Sequence, residues 1–227
     1  MGAPGMGYFT YYLAFILISA IAQYPPLLVG IVVFFLLRRW VPDPIVFFRT
    51  MGRIQALNRQ IDANPANVTA RRDLAMVYLD RLRPGRALEL LGEASKRFPD
   101  DAELLYLTGL AHWKRGQAEQ ALDPLVKSVS IDPRVRYGDA YRVAGDALKK
   151  LGRHEEAIDS YERFVHTNSS SIEGHVKLAL AHRAAKDEAA SKSALDEAFR
   201  TWSQIPGYKR RKELSWWLYA WVCRLFI

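Results

Sequence analysis

The sequence predicts an all-α protein in which about four helical hairpins stack into a solenoid. Three observations predict it. The first 37 of the 227 residues contain no Lys, Arg, Asp or Glu. Small residues then recur at intervals of 34, 36 and 34, at Ala87, Ala121, Ala157 and Ser191. An aromatic amphipathic stretch closes the chain. The predicted segments are a membrane anchor at 1–40, an amphipathic half-repeat helix at 41–66, the solenoid at 67–203 (units near 68–101, 102–135, 138–171 and 172–203) and a capping helix at 208–227.

The apolar N-terminal segment is too long for one perpendicular span. Residues 8–37 would extend about 45 Å as a helix, against a hydrocarbon thickness of about 30 Å. Pro25 and Pro26 interrupt it, because neither can donate a backbone hydrogen bond. We therefore expect a transmembrane helical hairpin, with a single kinked span or a cleaved signal peptide as alternatives.

The first basic residues fix the expected orientation. Arg38 and Arg39 directly follow the apolar segment, and basic residues favour the cytoplasmic side. The sequence therefore predicts a protein integral to a membrane, the bacterial inner membrane, with its hairpins in the cytoplasm.

Basic residues are concentrated outside the predicted solenoid. Residues 38–60 hold five arginines and one acid, and residues 200–227 hold six basic residues and one acid. Residues 61–199 hold 21 basic and 22 acidic residues. A nucleic-acid-binding domain would carry a basic stripe on its folded part, so this distribution argues against a nucleic-acid partner. It suits anionic lipid headgroups beside the apolar ends.

A spacing pattern repeats through the central part of the chain. The positions Leu105, Gly109, His112, Gly116, Ala121 and Leu125, followed by Pro133, set the spacing of one unit. Similar residues lie 34 positions upstream, at Ala75, Tyr78, Ala87, Leu91 and Pro99, and 36 positions downstream, at Tyr141, Gly145, Leu148, Gly152, Ala157 and Tyr161. This pattern resembles the tetratricopeptide repeat family, across roughly residues 67–202. The resemblance implies a right-handed α-solenoid of 34-residue helix-turn-helix units. Lys186 stands where the fourth unit should have a turn glycine, and residues 168–171 stand where the third should have proline.

Small residues in this pattern are expected to allow close contact between helices. Gly109 and Gly145 are placed where the two helices of a hairpin would cross closely. One hairpin cannot bury its apolar face alone, so the hairpins must stack and the ends must be capped. Leu57 and Ile61 match the second helix of a preceding unit.

The C-terminal stretch is predicted to be the second cap. One stripe has the spacing that packing on the solenoid needs: Leu214, Trp217, Leu218, Trp221, Val222 and Leu225. The opposite face is also apolar, so it needs the membrane surface, the N-terminal hairpin or another protein as a partner. The predicted membrane-surface residues are Arg38, Arg39, Trp40, Lys209, Arg210, Arg211, Lys212, Trp216 and Tyr219.

Catalytic and cofactor motifs are not found in the sequence. The five histidines include no His-Glu-x-x-His motif and no zinc-type spacing with the single cysteine, Cys223. The glycines form no phosphate-binding loop and no Gly-x-Ser-x-Gly elbow. We therefore predict no catalytic residue, no metal and no cofactor.

The resemblance implies a binding surface instead. In this family the first helices of successive hairpins line a concave groove that binds peptides or partner domains. The matching positions here are Arg72, Met76, Leu79, Tyr106, Leu110, Trp113, Arg142, Asp146, Lys149, Val176, Leu180 and Arg183. Relatives that bind chaperone tails use Asn where this chain has Met76, which argues against that ligand.

The predicted function is a non-enzymatic, membrane-tethered scaffold or adaptor that binds a partner protein at the cytoplasmic membrane face. The alternative is an accessory or assembly subunit of a larger membrane complex, docked through the apolar hairpin. The expected partners are a protein or peptide in the groove, membrane lipids and other membrane-complex subunits.

Overall fold

The computed structural model describes residues 44–225. The chain divides into two compact units, 1–49 and 50–227, and the described residues of the first unit are helical. Every regular element in the described range is helical, which confirms the predicted all-α class. The α-helices are α1 (Pro44–Ala63), α2 (Val68–Asp80), α3 (Pro84–Ser95), α4 (Ala102–Lys114), α5 (Ala118–Ile131), α6 (Asp139–Lys150), α7 (His154–Thr167), α8 (Ile172–Ala184), α9 (Glu188–Gln204) and α10 (Gly207–Arg224).

Helices α2 to α9 form four consecutive hairpins that stack on one another. The two helices of each hairpin are joined by a tight turn with one residue at positive φ: Leu82, Gly116, Gly152 or Lys186. In each turn the next residue donates a backbone hydrogen bond to a carbonyl five residues earlier, as Asp187 does to His182 at 2.9 Å. This is the Schellman arrangement. The fourth hairpin is therefore built like the others, although Lys186 holds the glycine position at φ +65°.

Close helix crossings occur at the predicted glycines. A Cβ added to Gly109 would lie 2.5 Å from Cγ of Leu125, and one added to Gly145 would lie 2.6 Å from the Tyr161 ring. Leu125 and Tyr161 are buried, so neither can move aside. Each glycine is therefore required by the side chain of the second helix that fills the crossing.

The junction between the second and third hairpins contains a short 3₁₀ turn, Val135–Gly138. Arg136 and Tyr137 both adopt left-handed backbone angles, as does Gly138. The other first helices begin with a side-chain cap, such as Asp101, which accepts from the amides of Glu103 and Leu104. Here α6 begins directly after Gly138 without one. The extra residues of this unit therefore form a distinct, strained connection.

A serine caps the helix that follows the third boundary, where the chain lacks the proline found at positions 99 and 133. The Ser171 hydroxyl accepts a 3.1 Å hydrogen bond from the amide of Gly174 and caps α8. Capping satisfies one of the amides that a helix start leaves unpaired.

The two ends of the solenoid are covered differently. At the N-terminal end Leu57 of α1 is buried against Leu74 and Val77 of α2. At the C-terminal end α10 packs on α8 and α9. The α10 face that packs there carries Ala220 and Cys223, which are buried.

The predicted packing stripe of α10 is therefore wrong. Trp217 packs against the core, but the other five members of the stripe are exposed: Leu214, Leu218, Trp221, Val222 and Leu225. The physical reason is size, because Ala220 and Cys223 allow a closer approach of the helix backbone than the larger stripe residues would.

The membrane prediction is also corrected. The predicted anchor at 1–40 lies outside the described residues. Between residues 44 and 225, no helix combines the length and apolar character needed to cross a bilayer. On this finding the prediction of a protein integral to a membrane is wrong.

Candidate functional site

The first helices of the four hairpins, α2, α4, α6 and α8, are linked through side chains to form one surface, called here the first-helix face. Arg72 lies 2.8 Å from Glu103 of the next hairpin. Tyr106 donates a 2.6 Å hydrogen bond to Asp139, and Arg142 lies 3.4 Å from Glu173. Each link joins residues 31 to 33 positions apart, so neighbouring hairpins are held in register along this face.

Three residues predicted to contact a partner are buried instead. Leu79 and Tyr106 are 2% and 6% exposed and belong to the core between the first hairpins. Val176 is fully buried in the core near α10. Their side chains pack between stacked hairpins, so these three groove assignments are wrong.

Four predicted apolar residues remain partly exposed on the first-helix face: Met76, Leu110, Trp113 and Leu180. Trp113 packs against the core along part of its surface. The Lys150 ammonium lies 5.6 Å from the centre of its ring, within the range of a cation–π contact. Trp113 thus supports the hairpin stack and also presents ring surface to solvent.

The middle of the first-helix face carries a network of charges centred on Arg142. Its guanidinium contacts the carboxylates of Asp139, at 2.5 Å, and Asp146, at 3.2 Å. Burial opposes the charge of Arg142, but the hydrogen bond to Asp139 and the surrounding carboxylates raise its pKa overall. Lys177 of α8 lies 2.6 Å from Asp146. The predicted groove residues Arg142 and Asp146 are therefore paired within the protein.

The two core tyrosines beside this network are held neutral. Burial is the main cause that raises the pKa of Tyr106, and the Asp139 carboxylate adds to it. Tyr161 donates a 2.7 Å hydrogen bond to Asp146, and its pKa is raised by burial and by that carboxylate. Both phenols therefore act as hydrogen-bond donors across the fold.

Arg136 is a residue of this face that the sequence analysis missed. Its guanidinium lies 2.7 Å from Glu103 and 2.6 Å from the sulfur of Met76. The left-handed backbone of the 3₁₀ turn directs it there. The irregular spacing between the second and third units indicates an unusual connection there. It does not predict where the Arg136 side chain points.

Basic residues lie near the C-terminal ends of the first helices: Lys114, Lys149, Lys150 and Arg183. Lys114 donates to the carbonyl of Leu79 at 3.2 Å, and Lys150 donates to that of Gly116 at 3.1 Å. Within the described residues none of the four forms an ion pair. Burial, followed by the nearby Lys177 charge, lowers the pKa of Lys149. This basic edge contrasts with the paired charges near the other end of the same helices.

Helix α10 closes the C-terminal end of the first-helix face. Glu213 accepts a 3.2 Å hydrogen bond from the amide of Glu173 in α8, and burial raises the pKa of its carboxyl. The Lys177 ammonium lies 5.4 Å from the centre of the Trp216 ring. These contacts attach α10 to the last first helix.

The predicted membrane-surface residues are divided by these contacts. Lys209 donates to the hydroxyl of Ser170, and Arg210 donates to the carbonyls of Trp202 and Ser203 at 3.1 and 2.8 Å. Trp216 is half-buried, Tyr219 is exposed and packs edge-on against it, and Arg211 and Lys212 are exposed. Arg38, Arg39 and Trp40 lie outside the described residues. The indole of Trp216 packs partly on the core, so only part of its ring surface faces solvent.

Metal-ligating side chains do not cluster in the range 44–225, where no group of three or more His, Cys, Asp or Glu could hold an ion. His175 is buried, and its Nε2 lies 3.1 Å from the carbonyl oxygen of Ser169. The His175 ring thus contacts the connection between α7 and α8.

Comparison with known proteins gives both sequence and structural matches. Models of the tetratricopeptide repeat match residues 72–136 and 138–166. A TPR repeat-containing protein of Methanocaldococcus jannaschii is 36% identical over 75 residues, which are 33% of this chain and 13% of that protein. Small glutamine-rich tetratricopeptide repeat-containing protein 2 of Mycosarcoma maydis is 31% identical over 87 residues, or 38% of this chain and 24% of that one. The chain thus spans less than a quarter of the length of these curated relatives.

Solved structures share the fold at lower identity. A crystal structure of MamA superposes with a TM-score of 0.61 at 24% identity, over 66% of this chain and 87% of that one. YrrB, described as a TPR protein with an unusual peptide-binding site, gives a TM-score of 0.57 at 16% identity, over 70% and 82% of the two chains. The repeat matches and the stacked hairpins show that this chain carries tetratricopeptide repeats over residues 72–136 and 138–166.

Proposed function

We propose that this protein is a non-enzymatic interaction scaffold whose first-helix face binds an extended segment of a partner protein. The observation that carries the proposal is the combination, on that face, of partly exposed apolar side chains with basic ones that form no ion pair within the described residues. Met76, Leu110 and Trp113 offer apolar contact on α2 and α4. The peptide-binding site in the description of YrrB supports a similar use of this fold.

The charges indicate the kind of segment that fits. Arg72, Arg136 and Arg142 are already paired with carboxylates. Lys114, Lys149 and Arg183 have no such partner within the described residues. A ligand carboxylate near Lys149 would offset the cost of keeping a partly buried ammonium charged. We therefore propose that the bound segment carries acidic residues beside aromatic or aliphatic ones.

A docked subunit of a membrane complex is the other function that the sequence suggests. It depends on residues 1–40, which lie outside the described range, and no contact on the first-helix face favours it. The peptide-binding scaffold is the function that the described residues support.

A random peptide library displayed on phage tests the proposal. The purified full-length chain should select peptides that combine an aromatic or aliphatic residue with Asp or Glu. Trp113→Ala should weaken binding of a selected peptide by about 2 kcal/mol or more, as the loss of an aromatic anchor does. Lys149→Glu should also weaken it, because it reverses the charge that an acidic ligand meets.

The matched control is Phe98→Ala, which removes an exposed aromatic ring from the turn after α3. It should leave peptide binding unchanged. Selection of no peptide, or equal loss of binding in Trp113→Ala and Phe98→Ala, contradicts the proposal. A thermal melt of each variant separates loss of binding from loss of folding.

A further inference from the structure

The side chain of Arg136 crosses the first-helix face from the third hairpin to the first. It begins in the 3₁₀ turn that precedes α6 and ends beside Met76 of α2, 60 positions earlier in the chain. One nitrogen of its guanidinium lies 2.6 Å from the Met76 sulfur, and the same nitrogen lies 2.7 Å from Oε1 of Glu103. The links between neighbouring hairpins span 31 to 33 positions, whereas this contact reaches across a whole hairpin.

The contact covers part of the apolar surface that the proposed function assigns to a ligand. Met76 is partly exposed, and another part of its side chain packs against the core. The Arg136 side chain is 41% exposed, so the guanidinium is itself open to water while it covers the sulfur. A ligand residue that contacts the Met76 sulfur must therefore displace the guanidinium of Arg136.

The backbone fixes where the Arg136 side chain begins. Val135 is buried, and an added Cβ at Gly138 would lie 2.9 Å from Cβ of Thr167 in α7, so both ends of the turn are held by packing. Arg136 and Tyr137 between them keep left-handed backbone angles, a strained conformation of the kind that occurs at ligand clamps and switches. The guanidinium can then leave Met76 by rotation of its side chain, without movement of the turn.

Glu103 keeps a cationic partner when Arg136 moves away. Its two carboxylate oxygens are used separately, Oε1 by Arg136 and Oε2 by Arg72 at 2.8 Å. The pair that is lost is partly exposed, and such pairs contribute little to stability. The Met76 sulfur is only a weak acceptor. Displacement of Arg136 therefore leaves no unpaired carboxylate on the face, but it leaves the guanidinium in need of a new partner.

We propose that Arg136 is a strap over Met76, a side chain that opens for acidic segments and stays closed to purely apolar ones. Because one guanidinium nitrogen contacts both Met76 and Glu103, a ligand residue that takes the sulfur also breaks the ion pair. A neighbouring carboxylate of the ligand replaces that pair, whereas an apolar ligand does not. Arg136 is then a specificity-determining residue of the first-helix face. This role rests on the proposed function, since it concerns the choice of ligand at the same site.

Oxidation of Met76 tests the strap without any ligand. Hydrogen peroxide transfers one oxygen atom to a methionine sulfur and leaves the sulfoxide and water, and a sulfur covered by a guanidinium should react slowly. In the full-length chain, Arg136→Asn should make Met76 oxidise faster relative to Met51, which is 50% exposed and is the internal reference. Asparagine tolerates the left-handed backbone, so the turn should persist. Mass spectrometry of the digested protein measures both sulfoxides.

The matched control is Arg134→Asn, which removes the same charge two residues earlier at an exposed position. It should leave the ratio of Met76 to Met51 oxidation unchanged. An unchanged ratio in Arg136→Asn, or an equal rise in both variants, would overturn the strap. If a thermal melt shows that Arg136→Asn is unfolded, Arg136→Gly replaces it, because glycine adopts the left-handed conformation most readily.

Ligand choice is measured with the peptides that the unmodified chain selects from the phage library. Each acidic peptide is compared with an analogue in which Asn and Gln replace Asp and Glu. The unmodified chain should prefer the acidic form. In Arg136→Asn this preference should fall by about fivefold, or ~1 kcal/mol, because the neutral analogue meets no strap and the acidic form loses a partner. Arg134→Asn should keep the preference of the unmodified chain.

The two measurements separate failure of the strap from failure of the proposed function. Peptides that bind Arg136→Asn with an unchanged acidic preference would overturn the strap and leave the proposed function in place. Selection of no peptide would overturn the proposed function, and with it the role of Arg136 in ligand choice, while the oxidation of Met76 would still decide whether the guanidinium covers the sulfur.

Discussion

The hydroxyl of Tyr106 in α4 donates a 2.6 Å hydrogen bond to the carboxylate of Asp139 in α6. The two residues are one repeat apart, and the tyrosine ring lies in the core between hairpins. Asp139 also pairs with Arg142 at 2.5 Å. A side chain expected to meet a partner thus serves to hold two hairpins together.

Tyr106→Phe removes this hydrogen bond and keeps the ring. We expect the free energy of unfolding to fall by about 1.5–3 kcal/mol, the usual contribution of a hydrogen bond to a charged group. Tyr208→Phe, at an exposed tyrosine, should change it little. Denaturant unfolding measures both, and equal stability of the two variants would show that the bond contributes nothing.

Gly109→Ala tests the close crossing of α4 and α5. The added Cβ would lie 2.5 Å from Cγ of the buried Leu125, so overpacking should cost about 1–3 kcal/mol. Gly92→Ala is the matched control, because no atom lies within 4 Å of its added Cβ. In the middle of α3 it should stabilise by roughly 0.5–1 kcal/mol. A thermal melt in which both variants shift in the same direction would reject the proposed crossing.

Lys186→Gly tests the turn of the fourth hairpin. Lys186 holds φ at +65°, a conformation that costs an L-residue roughly 1–2 kcal/mol and glycine little. The variant should therefore melt at a higher temperature than the unmodified chain. Lys192→Gly, inside α9, should melt lower, because glycine destabilises a helix interior by about 1 kcal/mol. A lower melting temperature for Lys186→Gly would refute the turn assignment.

His175 should make stability depend on pH. Burial lowers its pKa from the ordinary 6.5, because the charged ring loses water. Below 6.5, and down to the lowered folded-state pKa, the unfolded chain binds more protons than the folded chain. The neutral His175 ring therefore makes its full contribution to the free energy of unfolding above pH 6.5. The free energy of unfolding falls as the pH drops from 6.5 to the folded-state pKa.

His175→Gln should flatten the unfolding free energy measured across that window, because glutamine does not titrate there and can donate to the Ser169 carbonyl. His166→Gln, at an exposed histidine, should keep the slope of the unmodified chain. An unchanged slope in His175→Gln would assign the pH dependence to other groups.

The repeat register could be predicted because several independent residues obey one spacing. Gly109 and Gly145 have no alternative role in a helix hairpin that would explain their recurrence with Ala121 and Ala157. The structure places these glycines against Leu125 and Tyr161. Lys186 shows where the spacing pattern fails to predict the structure. The turn keeps its left-handed backbone conformation there, although lysine stands in place of the glycine that this conformation favours.

The details of the surface could not be predicted to the same extent. Leu79, Tyr106 and Val176 occupy first-helix positions, but their exposure depends on how tightly neighbouring hairpins approach. Arg136 reaches Met76 through two consecutive left-handed residues, which no periodicity encodes. The face by which α10 packs depends on the close approach at Ala220 and Cys223, although its larger residues have the more regular spacing.

Photochemical cross-linking of a selected peptide tests the central claim most directly, namely that the first-helix face is the binding surface. A photoreactive group is placed at successive peptide positions, and the labelled protein residues are identified by mass spectrometry. The predicted result is labelling of α2, α4, α6 and α8, centred on Met76, Leu110, Trp113 and Leu180. Labelling confined to the second helices α3, α5, α7 and α9, or to α10, would contradict the claim.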